Sequence, residues 1–268
     1  MDTFGPATYG DKVADVYDDL TFPVTRFTDA CVEFLASNAG KRRVLELGIG
    51  TGRIALPLAA RGLKVHGIDA SEKMVARLRE KPGGAEIPIE IGDFADLNVG
   101  GTFSLIYVVF NTFFGLLNQE RQVRCMVRVA RRLSDDGVFV IEAFVPDLSR
   151  FDNRGQRVGA LELSSDSVRL EVSMHDVLQQ RIRLFQVALG ENGVKLYPLE
   201  IRYAWPSELD LMARIAGMRL RARYGGWKHE PFDASSRFHV SLYELASKTV
   251  PPASAKKRSS ARTARKRA

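Results

Sequence analysis

Ten residues constrain this chain more than any others: VLELGIGTGR, residues 44–53. An apolar run that breaks into alternating glycines and resumes as a helical pattern reads as a strand, a tight turn and a helix start. At such a junction the backbone N–H groups of the first helical turn point at whatever lies above the turn. Glycine alone lets a polar ligand come close to them.

Downstream, strands and helices keep alternating as far as residue 143. Arg43-Val44-Leu45-Glu46-Leu47 and Lys64-Val65-His66-Gly67-Ile68-Asp69 read as two strands, Ile87 to Ile91 as a third, and Val138 to Ala143 as a fifth. The fourth, Phe103 to Phe110, is apolar nearly throughout, as a strand covered on both faces must be. Helices are expected from Arg53 to Ala60 and after a capping Ser71, with Met74, Val75 and Leu78 on the apolar side. A further helix places Val123, Val127, Ala130 and Leu133 in one stripe and ends at Asp136-Gly137. Strands alternating with helices predict a parallel sheet with helices on both faces.

After Pro146 the period falls to two. Val168, Leu170, Val172 and Met174 alternate with Arg169, Glu171, Ser173 and His175, the pattern of a half-buried strand. Arg181 to Leu189 and Val194 to Tyr203 flank the hairpin turn Glu191-Asn192-Gly193, and Tyr197, Leu199, Ile201 and Tyr203 share one face of the second arm. Pro206-Ser207-Glu208 opens a helix to Gly217, and Met218 to Tyr224 and Phe238 to Leu245 complete the strands. The expected fold is α/β: a doubly wound, mostly parallel seven-stranded sheet with a small antiparallel insertion after strand five. The divisions are a helical cap (1–40), a ligand-binding core (41–150), the antiparallel insertion (151–205), the end of the core sheet (206–248) and a disordered basic tail (249–268).

Composition narrows the setting. The net charge of +7 resides in the tail, where Lys256, Lys257, Arg258, Arg262, Arg265, Lys266 and Arg267 stand with no acid among them. Contact with nucleic acid is therefore expected only through that tail. The two cysteines, Cys31 and Cys125, lie far apart in helical patterns and form neither a redox pair nor a metal set. No apolar run approaches the ~20 residues that span a membrane, and the acidic start, MDTFGPATYGDK, lacks a signal peptide's basic and apolar regions. A cytoplasmic protein without a bound metal is expected.

The glycines choose among ligands. A dinucleotide turn obeys GxGxxG/A, and Arg53 stands where its last small residue should be. No GxxxxGK[ST] phosphate loop is present. Instead Glu46-x-Gly48-x-Gly50-x-Gly52 resembles the first motif of class I S-adenosylmethionine-dependent methyltransferases, and further patches agree in order. HGIDAS sets Asp69 where that family holds the ribose hydroxyls. IGDFADL sets Asp93 and Phe94 where it meets adenine, and FSLIYVVFNTFF and LSDDGVFVIE match the fourth and fifth strands. The segment YGDKVADVYDDL is similar to the start of small-molecule N-methyltransferases acting on amino sugars and amino acids, in which a tyrosine meets the methionyl carboxylate. Tyr17 matches that position and Tyr9 is a second candidate.

The resemblance implies S-adenosylmethionine as cofactor, held by Tyr17, Glu46, Gly48, Gly50, Gly52, Asp69, Ala70, Met74, Asp93, Phe94 and Phe110. It implies in-line methyl transfer to an amine or hydroxyl of a small acceptor. Such a transfer needs alignment more than acid–base help, and no catalytic dyad is evident. His175, His229 and Asn111 are the candidates for chemistry, and Asn111, Trp227 and His229 those for the acceptor pocket. Gly225-Gly226 reads as the hinge of a lid that carries Trp227. Two other readings stay open: a nucleic-acid methyltransferase recruited by the tail, and a non-catalytic cofactor-binding protein.

Overall fold

The structure, a computed structural model, describes residues 4–20, 27–41, 43–191 and 193–246. The basic tail expected at 249–268, and Asn192 of the hairpin turn, lie outside these described residues. The helices are α1 (Thr8–Val13), α2 (Tyr17–Leu20), α3 (Thr28–Asn38), α4 (Ala55–Ala60), α5 (Glu72–Arg79), α6 (Gln119–Ala130) and α7 (Pro206–Ile215). The strands are β1 (Arg43–Leu47), β2 (Val65–Asp69), β3 (Ile89–Ile91), β4 (Phe103–Val108), β5 (Leu133–Phe144), β6 (Gln156–Leu163), β7 (Ser167–Asp176), β8 (Arg181–Gly190), β9 (Gly193–Arg202), β10 (Met218–Tyr224) and β11 (Phe238–Leu245).

One sheet holds seven strands in the order β10-β11-β5-β4-β1-β2-β3. The five from β3 to β5 run parallel, and β11 lies antiparallel between β5 and β10. Every position of β4 is buried, which is why its sequence is apolar on both sides. One apolar layer joins Leu45, Ile106 and Phe139 to Met126 of α6 and Leu209 of α7. The opposite layer joins Val44, Tyr107 and Val140 to Phe34 of α3 and Leu58 of α4. Within residues 1–40, α3 thus packs into the core, whereas α1 lies against α5 and β9. The strand order reverses between β1 and β4, and in such sheets that is where a crevice opens past the strand ends.

Two expectations need correction here. The buried stripe of α6 is Gln122, Cys125, Met126 and Val129, one position round from the expected Val123 and Val127, because the helix turns its side amide to the Arg202 carbonyl. Leu133 begins β5, and Asp136-Gly137 falls inside that strand, where the β4–β5 register shifts.

The second sheet is fully antiparallel, β6-β7-β8-β9. No strand is expected over β6 from the sequence, and the alternation in β7, which leaves its inner face open, resolves with the polar side inward. Ser173 is 3% exposed, while Val172 and Met174 are 38% and 50% exposed. The polar side of β7 faces inward because what lies beneath it is a cavity rather than a hydrophobic core. There Glu171 pairs with Arg157 and, at 3.7 Å, with Arg150.

Candidate functional site

A cavity of about 620 Å3 opens where β1, β2 and β4 end, roofed by the small sheet. Its floor is the glycine turn. Gly48, Gly50 and Gly52 all have left-handed backbones, with φ of 73°, 55° and 82°. Their tasks differ. A Cβ on Gly48 would stand 2.5 Å from the Thr112 methyl, and one on Gly52 would stand 2.8 Å from Leu78 of α5. One on Gly50 would meet only the Met74 methyl at 3.9 Å and would otherwise fill the cavity. Gly52 is therefore a packing glycine behind the wall, while Gly48 and Gly50 form the wall itself.

Asp69, at the end of β2, fixes that turn. Its carboxylate accepts the Gly50 N–H at 2.8 Å and the Ser71 N–H at 2.9 Å, and it faces the cavity. Burial raises its pKa above the ordinary carboxylate value, against the pull of those N–H groups. The cap of α5 is Ser71, whose hydroxyl accepts the Met74 N–H at 3.2 Å, so Asp69 is free of that duty.

Glu46 lies behind the wall rather than on it. It is 4% exposed and accepts the Tyr107 hydroxyl at 2.8 Å. Burial pushes its carboxyl up to about 8, opposed by the Tyr107 hydrogen bond and by the Arg53 charge. Arg53 does reach the cavity. Its guanidinium sits 3.6 Å from the centre of the Phe110 ring, and its Nε and Nη1 are buried with no hydrogen-bond partner among the described residues. In the sequence Arg53 argues only against a dinucleotide. A cation at the start of a helix opposes the helix dipole, and that was the signal available.

Phe110 and Asn111 are consecutive left-handed residues, with φ of 56° and 64°. Such a backbone costs a side-chain-bearing residue about 1–2 kcal/mol. Glu142 of β5 holds both, its carboxylate accepting their N–H groups. Asn111 Oδ1 in turn accepts the Phe144 N–H at 2.7 Å. Glu142 lines the cavity, and burial raises its carboxyl to about 7. A carboxyl near neutrality can accept a proton from an ammonium acceptor. A lone acid in the apolar run FVIEAF marked it in the sequence.

The N-terminal helices close one side. Tyr9 and Tyr17 line the cavity with rings 6.4 Å apart, edge to face. Asp11 accepts the Ser71 hydroxyl at 2.6 Å, Asp18 accepts the Thr51 hydroxyl at 2.7 Å, and Gly10 rests directly on Ser71. Ala70, Met74, Asp93, Phe94, Phe110, Asn111 and Trp227 also line it, with Asp93 ion-paired to Arg121.

The histidines fall elsewhere. His175 stacks on Phe151 at 4.8 Å and bonds the Tyr203 hydroxyl at 3.0 Å. His229 is exposed, packed between Phe34 and Tyr224. Neither lines the cavity. Trp227 is 5% exposed and packed on Phe34 at 5.4 Å, so it belongs to the core as well as the wall. Gly225 and Gly226 are packed closely. Each allows a close approach, since a Cβ would meet the Pro231 carbonyl at 2.6 Å or the Glu230 carboxylate at 2.4 Å. Among the described residues no group of three or more His, Cys, Asp or Glu is placed to hold a metal, and no helix is long and apolar enough to cross a membrane.

These residues fit a cofactor with a diol and an amino-acid head. Asp69 offers acceptors to hydroxyls, Arg53 offers unused donors to a carboxylate, and Gly50 leaves room between them.

The sequence profile of a methyltransferase domain matches residues 44–137. The solved CcbJ methyltransferase from Streptomyces caelestis is 40% identical, with 91% of this chain and 100% of that one covered at a TM-score of 0.85. The cypemycin N-terminal methyltransferase of a Streptomyces species is 28% identical over 87% of this chain and 95% of its own length. The structure of CalS10 with bound S-adenosylmethionine, an amino pentose methyltransferase from Micromonospora echinaspora, shares the fold at 19% identity. It covers 86% of this chain and 97% of its own, at a TM-score of 0.64.

Proposed function

The chain belongs to the S-adenosylmethionine-dependent methyltransferases, and we propose that its acceptor is an amine carried by a small molecule. The observation that carries the proposal is the roofed cavity. At about 620 Å3 it has the volume of a small-molecule site, and one continuous wall runs from Asp69 to the inner face of the small sheet. Duplex nucleic acid does not fit beneath such a roof. A relative named as an N-terminal methyltransferase supports the amine.

When bound, S-adenosylmethionine supplies an electrophilic methyl group on a sulfonium. Asp69, Arg53, Tyr17 and Gly50 would hold it, with Asp93 and Phe94 at the far end. Phe110, Asn111 and Phe144 form the part of the wall between that site and the roof, and Ile182, Leu184 and Leu199 exclude water from above. Glu142 holds the Phe110–Asn111 turn in place and can take the proton of an incoming ammonium.

The test is methyl transfer from labelled cofactor to a panel of amino sugars, amino acids, short peptides, matched alcohols and an RNA. Transfer to small amines, with none to the alcohols or RNA, is expected. Transfer confined to an alcohol or to RNA would overturn the acceptor assignment while leaving the cofactor site intact.

A further inference from the structure

The small sheet turns a continuous apolar surface to solvent. Its strand pairing sets the residues in rows: Val158, Val172, Phe185 and Pro198; then Ala160, Leu170, Val187 and Leu196; then Leu163, Val168, Leu189 and Val194. Many of these side chains are far out in water, with Val158 69%, Leu163 71%, Val194 64% and Leu196 57% exposed. The opposite face of β7 carries Arg169, Glu171 and Ser173 inward. A sheet that leaves this many apolar side chains in water on its outer side is built to be covered there.

We propose that a second copy of this chain covers it, the two small sheets stacked face to face about a two-fold axis. Area supports this. Four strands spaced about 4.8 Å apart, with three rows at about 6.8 Å, make a face of roughly 400 Å2. A pair would bury roughly 800 Å2, the size of a weak, reversible association. Chemistry supports it too. An isologous contact must tolerate itself, and three uncharged rows, aliphatic apart from Phe185, do so without bringing like charges together. Charge enters only at the Arg183 end of these rows.

Other occupants fit less well. Residues 251–268 contain only Pro, Ala, Ser, Thr, Lys and Arg, so that segment has no side chain to fill an aliphatic face. Lipid-binding faces carry a cationic rim with aromatics at the interface. Here no Lys, Trp or Tyr stands in the rows.

Sedimentation velocity on the full chain tests the assignment, alongside two double variants at positions already mostly in water: Val158→Lys with Leu196→Lys, and Val158→Glu with Leu196→Glu. The wild type should sediment as a dimer at micromolar concentration. Each variant alone should be a monomer that S-adenosylhomocysteine still stabilises thermally, which shows that it is folded. Mixing the two should restore a dimer, an outcome that only contact of this face with itself produces. A monomeric wild type, or folded variants that remain dimers, would overturn the proposal. A monomer that sediments with phosphatidylcholine–phosphatidylglycerol vesicles would overturn it in favour of a lipid surface.

Discussion

Arg53→Met separates binding from stability. The guanidinium stands on the cavity wall with Nε and Nη1 buried and unbonded among the described residues, over the Phe110 ring at 3.6 Å. Each unsatisfied buried donor costs about 1–3 kcal/mol, while the ring contact returns about 0.5–2 kcal/mol. Methionine keeps the stem's volume and removes both effects, so the free variant should be at least as stable as the wild type. With ligand the sign reverses. A charge-assisted hydrogen bond contributes about 1.5–3 kcal/mol, so the Kd for S-adenosylhomocysteine should rise about 10- to 150-fold. Arg53→Lys, which keeps charge but loses the planar fork, should fall between. Calorimetric titration reads the affinity and a thermal melt without ligand reads the stability. Affinity within twofold of wild type would refute the assignment, and so would a lowered melting temperature with affinity intact, because Arg53 would then be structural.

Asp69→Ala should weaken S-adenosylhomocysteine by about 2–3 kcal/mol, the loss of a charged partner, while α5 keeps its Ser71 cap; unchanged affinity in the same titration would limit Asp69 to bracing the glycine turn. Trp227→Ala should cost about 3–5 kcal/mol of stability in urea unfolding, as for a large buried aromatic; a selective loss of acceptor turnover at full stability would return Trp227 to a lid. Glu46→Gln should flatten the pH dependence of stability. The Glu46 carboxyl is raised from 4.5 to about 8 in the folded protein, so its contribution is complete below the unfolded value and is lost as pH rises through that window. The slope should reach up to about 1.4 kcal/mol per pH unit. Glu142, raised to about 7, sustains part of the slope in the variant. An unaltered profile would place the Glu46 titration outside this range.

The core was legible in the sequence because its signals are local. Glycines, the Ser71 cap and the apolar run of β4 each declare their own backbone state, and β10 and β11 match their expected ranges. Less legible was anything decided by what lies across the cavity. The alternation in β7 shows two faces but not which is inside, because that depends on whether a core or a cavity lies beneath it. Of the residues singled out in the sequence, Asp69, Tyr17 and Phe110 line the cavity. Glu46 and Gly52 share the same motif but stand behind the wall, a difference of depth that spacing does not encode. Glu142 was missed because its partners, Phe110 and Asn111, lie on another strand's end.

The helix α1 touches both halves of the molecule. Its Val13 and Ala14 share one apolar cluster with Met74 beside the cofactor wall and Tyr197 on the roof. A ligand that orders Tyr17 and Met74 should therefore also steady the roof, and ordering already done need not be done again by a second ligand beneath it. On the acceptor site proposed above, cofactor and acceptor should be thermodynamically linked, and linkage is reciprocal. Whatever factor the cofactor gives the acceptor in affinity, the acceptor returns to the cofactor, so saturation with either partner would mask a weakened grip on the other.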